Sequence, residues 1–242
     1  MKSKRTRLDR FISIQLAVNS RDVKLMLAQK RIIVDGDIAI DTQQLIDEFS
    51  HVVFDDKVLQ ANIPRYIMMN KPIGVVSATK DEQHKTVIDL LTDTNLLTKA
   101  EFEKLHIVGR LDLNSSGLLL LTNDGRWSRR LTSPEKKITK LYRVTVENPI
   151  TDDYIQAFAE GMYFAFEDIT TRPVKLEIIS EHVAELSLVE GRYHQIKRMF
   201  GRFRNPVLKL HRMAVGNLLL DPELTPGQSR MLNQDEVNNI DL

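Results

Sequence analysis

Leu8, Phe11, Ile12 and Leu16 recur at helical spacing within residues 5–16, while Arg5, Arg7 and Arg10 fall off that apolar stripe. The spacing predicts a short helix with a basic outer face. Ser20 reads as the N-cap of a second helix over about 21–30, whose turns carry Arg21, Lys24 and Lys30. Next, RIIVDGDIAID (31–41) begins with Arg31 and sets Asp35-Gly36 between two apolar runs, which predicts a tight β-hairpin. A strand at 51–54 follows, and Pro64 marks the end of a small unit, placed at 1–61. A second unit, 65–242, has another pattern. YIMMN (66–70), VVSAT (75–79), GLLLLTN (117–123), LYRVTVE (141–147), VKLEII (174–179) and VAELSLVE (183–190) read as strands. Thr86–Leu91, Thr151–Glu160 and YHQIKRMFG (193–201) read as helices, the last two with glycine stops. Strands and helices do not alternate regularly. The expected class is therefore α+β, with a mixed, largely antiparallel β-sheet and flanking helices.

Composition narrows the function classes. Hydrophobic residues make up 42% and charged residues 28% of 242, as in a soluble, core-forming protein. The absence of cysteine excludes disulfides, thiolate zinc sites and thiol nucleophiles, and suits a reducing cytoplasm, the expected location. No apolar run is long enough for a membrane span, and the basic start MKSKRTRLDRF lacks the apolar stretch of a secretory signal. A net charge of +1 argues against a nucleic-acid partner, but its distribution argues for one. Residues 1–31 carry nine Lys/Arg against two Asp, and 126–143 and 190–212 each carry seven against one Glu. If these segments meet in space they make a positive face suited to phosphates; the bland alternative is solvated surface.

The segment with the most chemistry is GRLDLNSSGLLLLTNDG (109–125). Asp112 lies in a turn-rich stretch ahead of a continuous apolar strand, where a carboxylate on a loop held by a rigid element is well placed to act on a substrate. An Asp that only bonds its own turn is the alternative. Arg110 stands beside it. The six histidines are scattered, so no metal site is expected.

Two resemblances sharpen this reading. LDRF (8–11), SRDVKLMLAQKRIIVDG (20–36) and IAID (38–41) resemble the S4 RNA-binding domain. That likeness implies that Arg5, Arg7, Arg10, Arg21, Lys24, Lys30 and Arg31 meet structured RNA through shape and phosphate contacts. The stretch 109–125, together with MNKPIGVVSAT (69–79), RLTSPEKKITKLYRVTVE (130–147), EGRYHQIKRMF (190–200) and LKLHRMAVGNLLL (208–220), resembles in order the motifs of the RsuA/RluB/RluE/RluF group of pseudouridine synthases. One departure is Ser115, where the group more often has Thr.

The second resemblance implies a pseudouridine synthase domain after a small S4-like domain, and residue roles within it. Asp112 would be the catalytic aspartate at the ribose of a flipped-out uridine. Tyr142 would lie against the base and help remove the C5 proton, Lys197 would be the cation paired with Asp112, Leu210 would wall the pocket, and Arg110 would steady the extruded nucleotide. Singly, Tyr142 reads equally as a strand aromatic, Lys197 as a phosphate contact and Leu210 as core; Trp127 and Phe200 read as core. Such a reaction uses no cofactor or metal. The implied partner is 16S rRNA, bare or in a pre-30S particle, with a monomeric enzyme acting on a uridine of the 516 type. The likeness of DITTRPVKLEII (168–179) and LHR (210–212) to the small-subunit member carries this preference, as does an acidic rather than basic end, with Arg230 alone against five carboxylates in 213–242. The competing readings are a 23S rRNA synthase of the same group, a non-catalytic S4-type assembly factor, and an acid–base hydrolase using Asp112.

Overall fold

The computed structural model describes residues 5–92, 94 and 96–241. The chain divides into two compact units, Met1–Pro64 and Arg65–Leu242.

In the first unit, helices Leu8–Leu16 and Ser20–Ala28 bury Leu8, Ile12, Val23 and Leu27 against Ile32, Val34, Ile46 and Val52. The N-cap of the second helix is Asn19, not Ser20. Asn19 is extended, and its side chain accepts from the amides of Arg21 and Asp22 at 2.9 and 3.1 Å, whereas Ser20 is already helical. Asp35 and Gly36 both adopt positive φ, as a two-residue hairpin turn requires. The hairpin belongs to a four-stranded antiparallel sheet in the order Asp37–Ile38, Ile32–Val34, Val52–Phe54, Lys57–Gln60.

Among the described residues the second unit is built on a nine-stranded sheet. Its main path runs Lys175–Ser180, Val183–Leu188, Lys140–Val146, Val207–Val215, Ser116–Thr122, Tyr66–Lys71, Ser229–Met231. All pairings are antiparallel except one: Val207–Val215 runs parallel to Ser116–Thr122. The apolar run of Ser116–Thr122 is explained by burial on both faces. Leu119 and Leu121 enter the larger core with Tyr142, Val144 and Leu210, while Leu118 and Leu120 enter a second core with Trp127, Leu131, Val237 and Ile240.

Several sequence expectations change. VVSAT is not a strand; it is a bent segment with a single bridge from Val76 to Thr86. Its Ser77 hydroxyl instead donates to the Leu111 carbonyl at 2.7 Å, so the segment braces the loop ahead of Asp112. The strand Val207–Val215 at the sheet centre and the helix Gly125–Thr132 were not expected from periodicity. The helix expected at 193–201 is Gln195–Gly201, leaving Tyr193 and His194 outside it. The acidic end is spent internally: Arg230 pairs with Asp221 and Glu236 at 2.6 and 2.7 Å, and Arg130 with Asp241 at 2.9 Å. Among the described residues no helix is long and apolar enough to cross a membrane.

Candidate active site

The parallel junction positions the site. Side by side at the sheet centre, Tyr142 faces Arg212 across one pairing, and Arg212 faces Gly117 across the next. Gly117 has φ +103°, and a Cβ there would stand 2.3 Å from the Arg212 carbonyl oxygen, so only glycine admits this close approach. Leu210, two residues before Arg212, shares its face of the strand.

Tyr142, Leu210 and Arg212 line a cavity of about 680 Å³ with Arg110, Asp112, Lys140, Tyr193, His194 and Lys197. That is room for a nucleotide-sized ligand. Asp112 reaches it from the loop before Ser116–Thr122, with its carboxylate 39% exposed. Tyr142 and Leu210 are buried walls, and Arg110 is exposed at the rim.

Two buried cations brace the backbone around this loop. Lys71 is fully buried, and its Nζ donates to the carbonyls of Pro72, Asp112 and Ser115 at 2.9, 3.1 and 2.8 Å. One ammonium thus ties both sides of the Asp112 turn to the Tyr66–Lys71 strand. Burial pushes the Lys71 pKa down to about 8, while the charge of Asp112 acts in the opposite direction. Arg212 is 1% exposed. It donates from Nε to the Leu118 carbonyl at 2.7 Å and from Nη2 to the Gly109 carbonyl at 2.8 Å, with Nη1 3.5 Å from the Tyr142 hydroxyl. Through these carbonyls the two cations fix the backbone at both Gly109 and Asp112.

The group nearest the Asp112 carboxylate differs from the sequence expectation. His194 Nε2 lies 3.4 Å from Asp112 Oδ2. Lys197 lines the same cavity but forms no ion pair among the described residues. Lys71, His194 and Arg212 were therefore missed as site residues. Each lies inside a motif quoted above, but nothing in a sequence separates a buried cation from a surface one. Among the described residues, no three His, Asp or Glu are grouped to hold a metal ion.

In the first unit, Arg5, Arg7, Arg10, Arg21, Lys24 and Lys30 are exposed. Arg7 pairs with Asp9. Arg31 is held by Asp55 through two bonds of 2.9 and 2.7 Å and lies over the Phe54 ring, so it is the least available to a ligand.

Comparison with known proteins shows the family. A family model described as RNA pseudouridylate synthase matches residues 65–201. The chain is 48% identical over 235 residues to ribosomal small subunit pseudouridine synthase A of Pseudomonas aeruginosa, covering 97% of this chain and 100% of that protein. It is 39% identical to the protein of the same name from Escherichia coli K12, covering 97% and 99%. A crystal structure of a pseudouridylate synthase superposes with a TM-score of 0.69 at 35% identity, covering 97% of this chain and 99% of that one. With a half-exposed loop carboxylate facing a nucleotide-sized cavity and near-full-length relatives of one kind, the chain belongs to the RNA pseudouridylate synthase family.

Proposed function

We propose that the protein isomerises one uridine of small-subunit (16S) rRNA to pseudouridine, with Asp112 acting at the ribose of the flipped-out nucleotide. The observation that carries this reading is the Asp112 carboxylate exposed in a cavity walled by Tyr142 and Leu210, in a chain whose near-full-length relatives are named as small-subunit synthases. The target of finer choice is the uridine of the 516 type.

The reaction breaks the C1′–N1 bond, turns the uracil and joins C5 to C1′; the C5 proton leaves and N1 gains one, so nothing is consumed. The Asp112 carboxylate either attacks C1′ or takes the 2′ proton. Lys71 holds the Asp112 turn through its backbone carbonyl, so the carboxylate needs no reorganisation on binding. The detached uracil is kept in place by Tyr142 and Leu210, and Tyr142 is the group beside the base for the final C5 deprotonation. Lys197 and Arg110 contact the backbone of the extruded nucleotide. C1′ and C5 are out of reach in a stacked helix, so the base must be flipped, at a cost of a few kcal/mol. Cations at the cavity rim and in the S4-like unit offset that cost by gripping flanking phosphates.

The test incubates purified protein with unmodified 16S and 23S transcripts, free and carrying their ribosomal proteins, and maps pseudouridine. A single new pseudouridine in 16S rRNA is expected. Modification of 23S rRNA alone would overturn the small-subunit target and leave the synthase chemistry standing.

A further inference from the structure

Between the strand Val183–Leu188 and the helix Gln195–Gly201 the chain crosses the cavity wall, and this crossing carries two rings that the reaction above does not use. Its ends are pinned. The buried Glu190 carboxylate accepts from the Arg172 amide at 2.8 Å, from Arg192 Nε at 3.1 Å and from Gln195 Nε2 at 2.7 Å. Gln195 Oε1 in turn accepts from the Arg192 amide at 3.1 Å. A closed ring of bonds thus holds Glu190 to Gln195 and presents what lies between.

What lies between is Tyr193 and His194. His194 is in the left-handed region, with φ 49° and ψ 29°, an unfavourable backbone for a residue with a Cβ. Such a conformation persists only when the surroundings over-determine it, and it clusters at functional sites. Here it delivers the imidazole to Asp112, with Nε2 3.4 Å from Oδ2. The Tyr193 ring lies flat on the imidazole, with centroids 3.9 Å apart and planes 20° apart. Tyr193 is 75% exposed, and no other ring among the described residues covers its second face. A large aromatic left open at the mouth of a nucleotide-sized cavity, backed by a ring that touches the reacting carboxylate, is a stacking surface coupled to the chemistry.

We propose that Tyr193 and His194 act as one positioning pair: Tyr193 stacks on the base next to the target uridine, and His194 holds the Asp112 carboxylate aimed at the ribose. This rests on the reading of a flipped uridine given above. When a base leaves its stack, its neighbour loses a face, and an aromatic platform replaces that contact with little regard for sequence. Stacking on Tyr193 then presses on the imidazole behind it, so the carboxylate is held most firmly when RNA is correctly seated. The target base itself stays with Tyr142.

The two roles separate kinetically, on full-length protein with an unmodified 16S transcript. Tyr193→Ala should raise KM about tenfold with a much smaller change in kcat, and Tyr193→Phe, which keeps the ring, should restore KM. His194→Ala should lower kcat about tenfold with RNA affinity changed less than twofold, and His194→Gln, which keeps a donor near Oδ2, should recover most of the loss. A transcript with 2-aminopurine beside the mapped target should show quenching by wild type and Tyr193→Phe but not by Tyr193→Ala. Active wild type with both alanine variants within twofold of it, or conservative variants no better than alanine, would overturn the pair alone. Wild type that makes no pseudouridine in any transcript would overturn the functional reading with it.

Discussion

The N-terminal unit keeps its cations on the outside, and the catalytic unit keeps two of them inside. Arg5, Arg10, Arg21, Lys24 and Lys30 are exposed on or beside two short helices, whereas Lys71 and Arg212 are almost completely enclosed by the central sheet. Exposed cations attract phosphate by number and position, and salt screens that attraction. Buried cations carry a desolvation penalty and persist only because carbonyls meet their protons: three for Lys71, and those of Leu118 and Gly109 for Arg212. The same residue types are therefore left open to solvent in one unit and built into the backbone scaffold of the site in the other. Arg31 marks the boundary between these uses, since Asp55 and Phe54 have already turned a basic side chain of the first unit into a structural one.

The largest expected effect tests what the buried pair serves. Asp112→Asn keeps shape and hydrogen bonding but removes the charge, and it should abolish pseudouridine formation while RNA affinity changes less than about twofold. Appreciable turnover by this variant would take the chemistry away from Asp112.

Arg212→Met should come next. It leaves the Leu118 and Gly109 carbonyls without a donor inside the protein and should destabilise the catalytic unit by about 2–5 kcal/mol. Arg21→Met in the N-terminal unit should stay within about 0.5 kcal/mol, as an exposed change does. Equal losses in denaturant unfolding would erase the distinction between inner and outer cations.

Third in size, Arg10, Arg21 and Lys24 reversed together to Glu should weaken 16S rRNA binding about tenfold at low salt and flatten its salt dependence, because fewer counterions are released. Arg7 and Arg31 are left out because Asp9 and Asp55 already hold them. An unchanged salt slope would mean that this unit does not grip phosphate.

The most gradual effect is a pH slope. The folded pKa of Lys71, about 8, lies below its ordinary 10.5. Between those values the unfolded chain binds a proton that the folded chain does not. Lys71 therefore makes stability rise with pH in that window, by at most about 1.4 kcal/mol per pH unit. Below pH 8 both states are protonated and the slope vanishes. Comparing Lys71→Met with wild type from pH 7 to 10 isolates this contribution; identical slopes would show that Lys71 is not depressed.

The antiparallel character of the sheet, the Asp35-Gly36 hairpin and the helix ended by Gly161 were legible because periodicity and turn chemistry are local. VVSAT was misread for the same reason: its β-branched residues suit a strand, yet Ser77 bonds Leu111 rather than a neighbouring strand. Val207–Val215 escaped notice because Lys209, His211 and Arg212 interrupt its apolar pattern, and Arg212 is buried only because its guanidinium finds carbonyls from other strands.

By itself the sequence determined that a carboxylate at 112 stands before a continuous apolar strand, that basic residues cluster in three segments, and which family's motifs the chain carries in order. These are matters of neighbours along the chain. Which cation stands behind Asp112, and that His194 rather than Lys197 is nearest its carboxylate, was decided only by tertiary structure. Lys71 and Asp112 lie far apart in sequence, as do Arg212 and Gly109. They meet because the strand order places Tyr66–Lys71 and Val207–Val215 on either side of Ser116–Thr122. A buried charge exists only where folding brings it partners, and partners from distant strands leave no local trace.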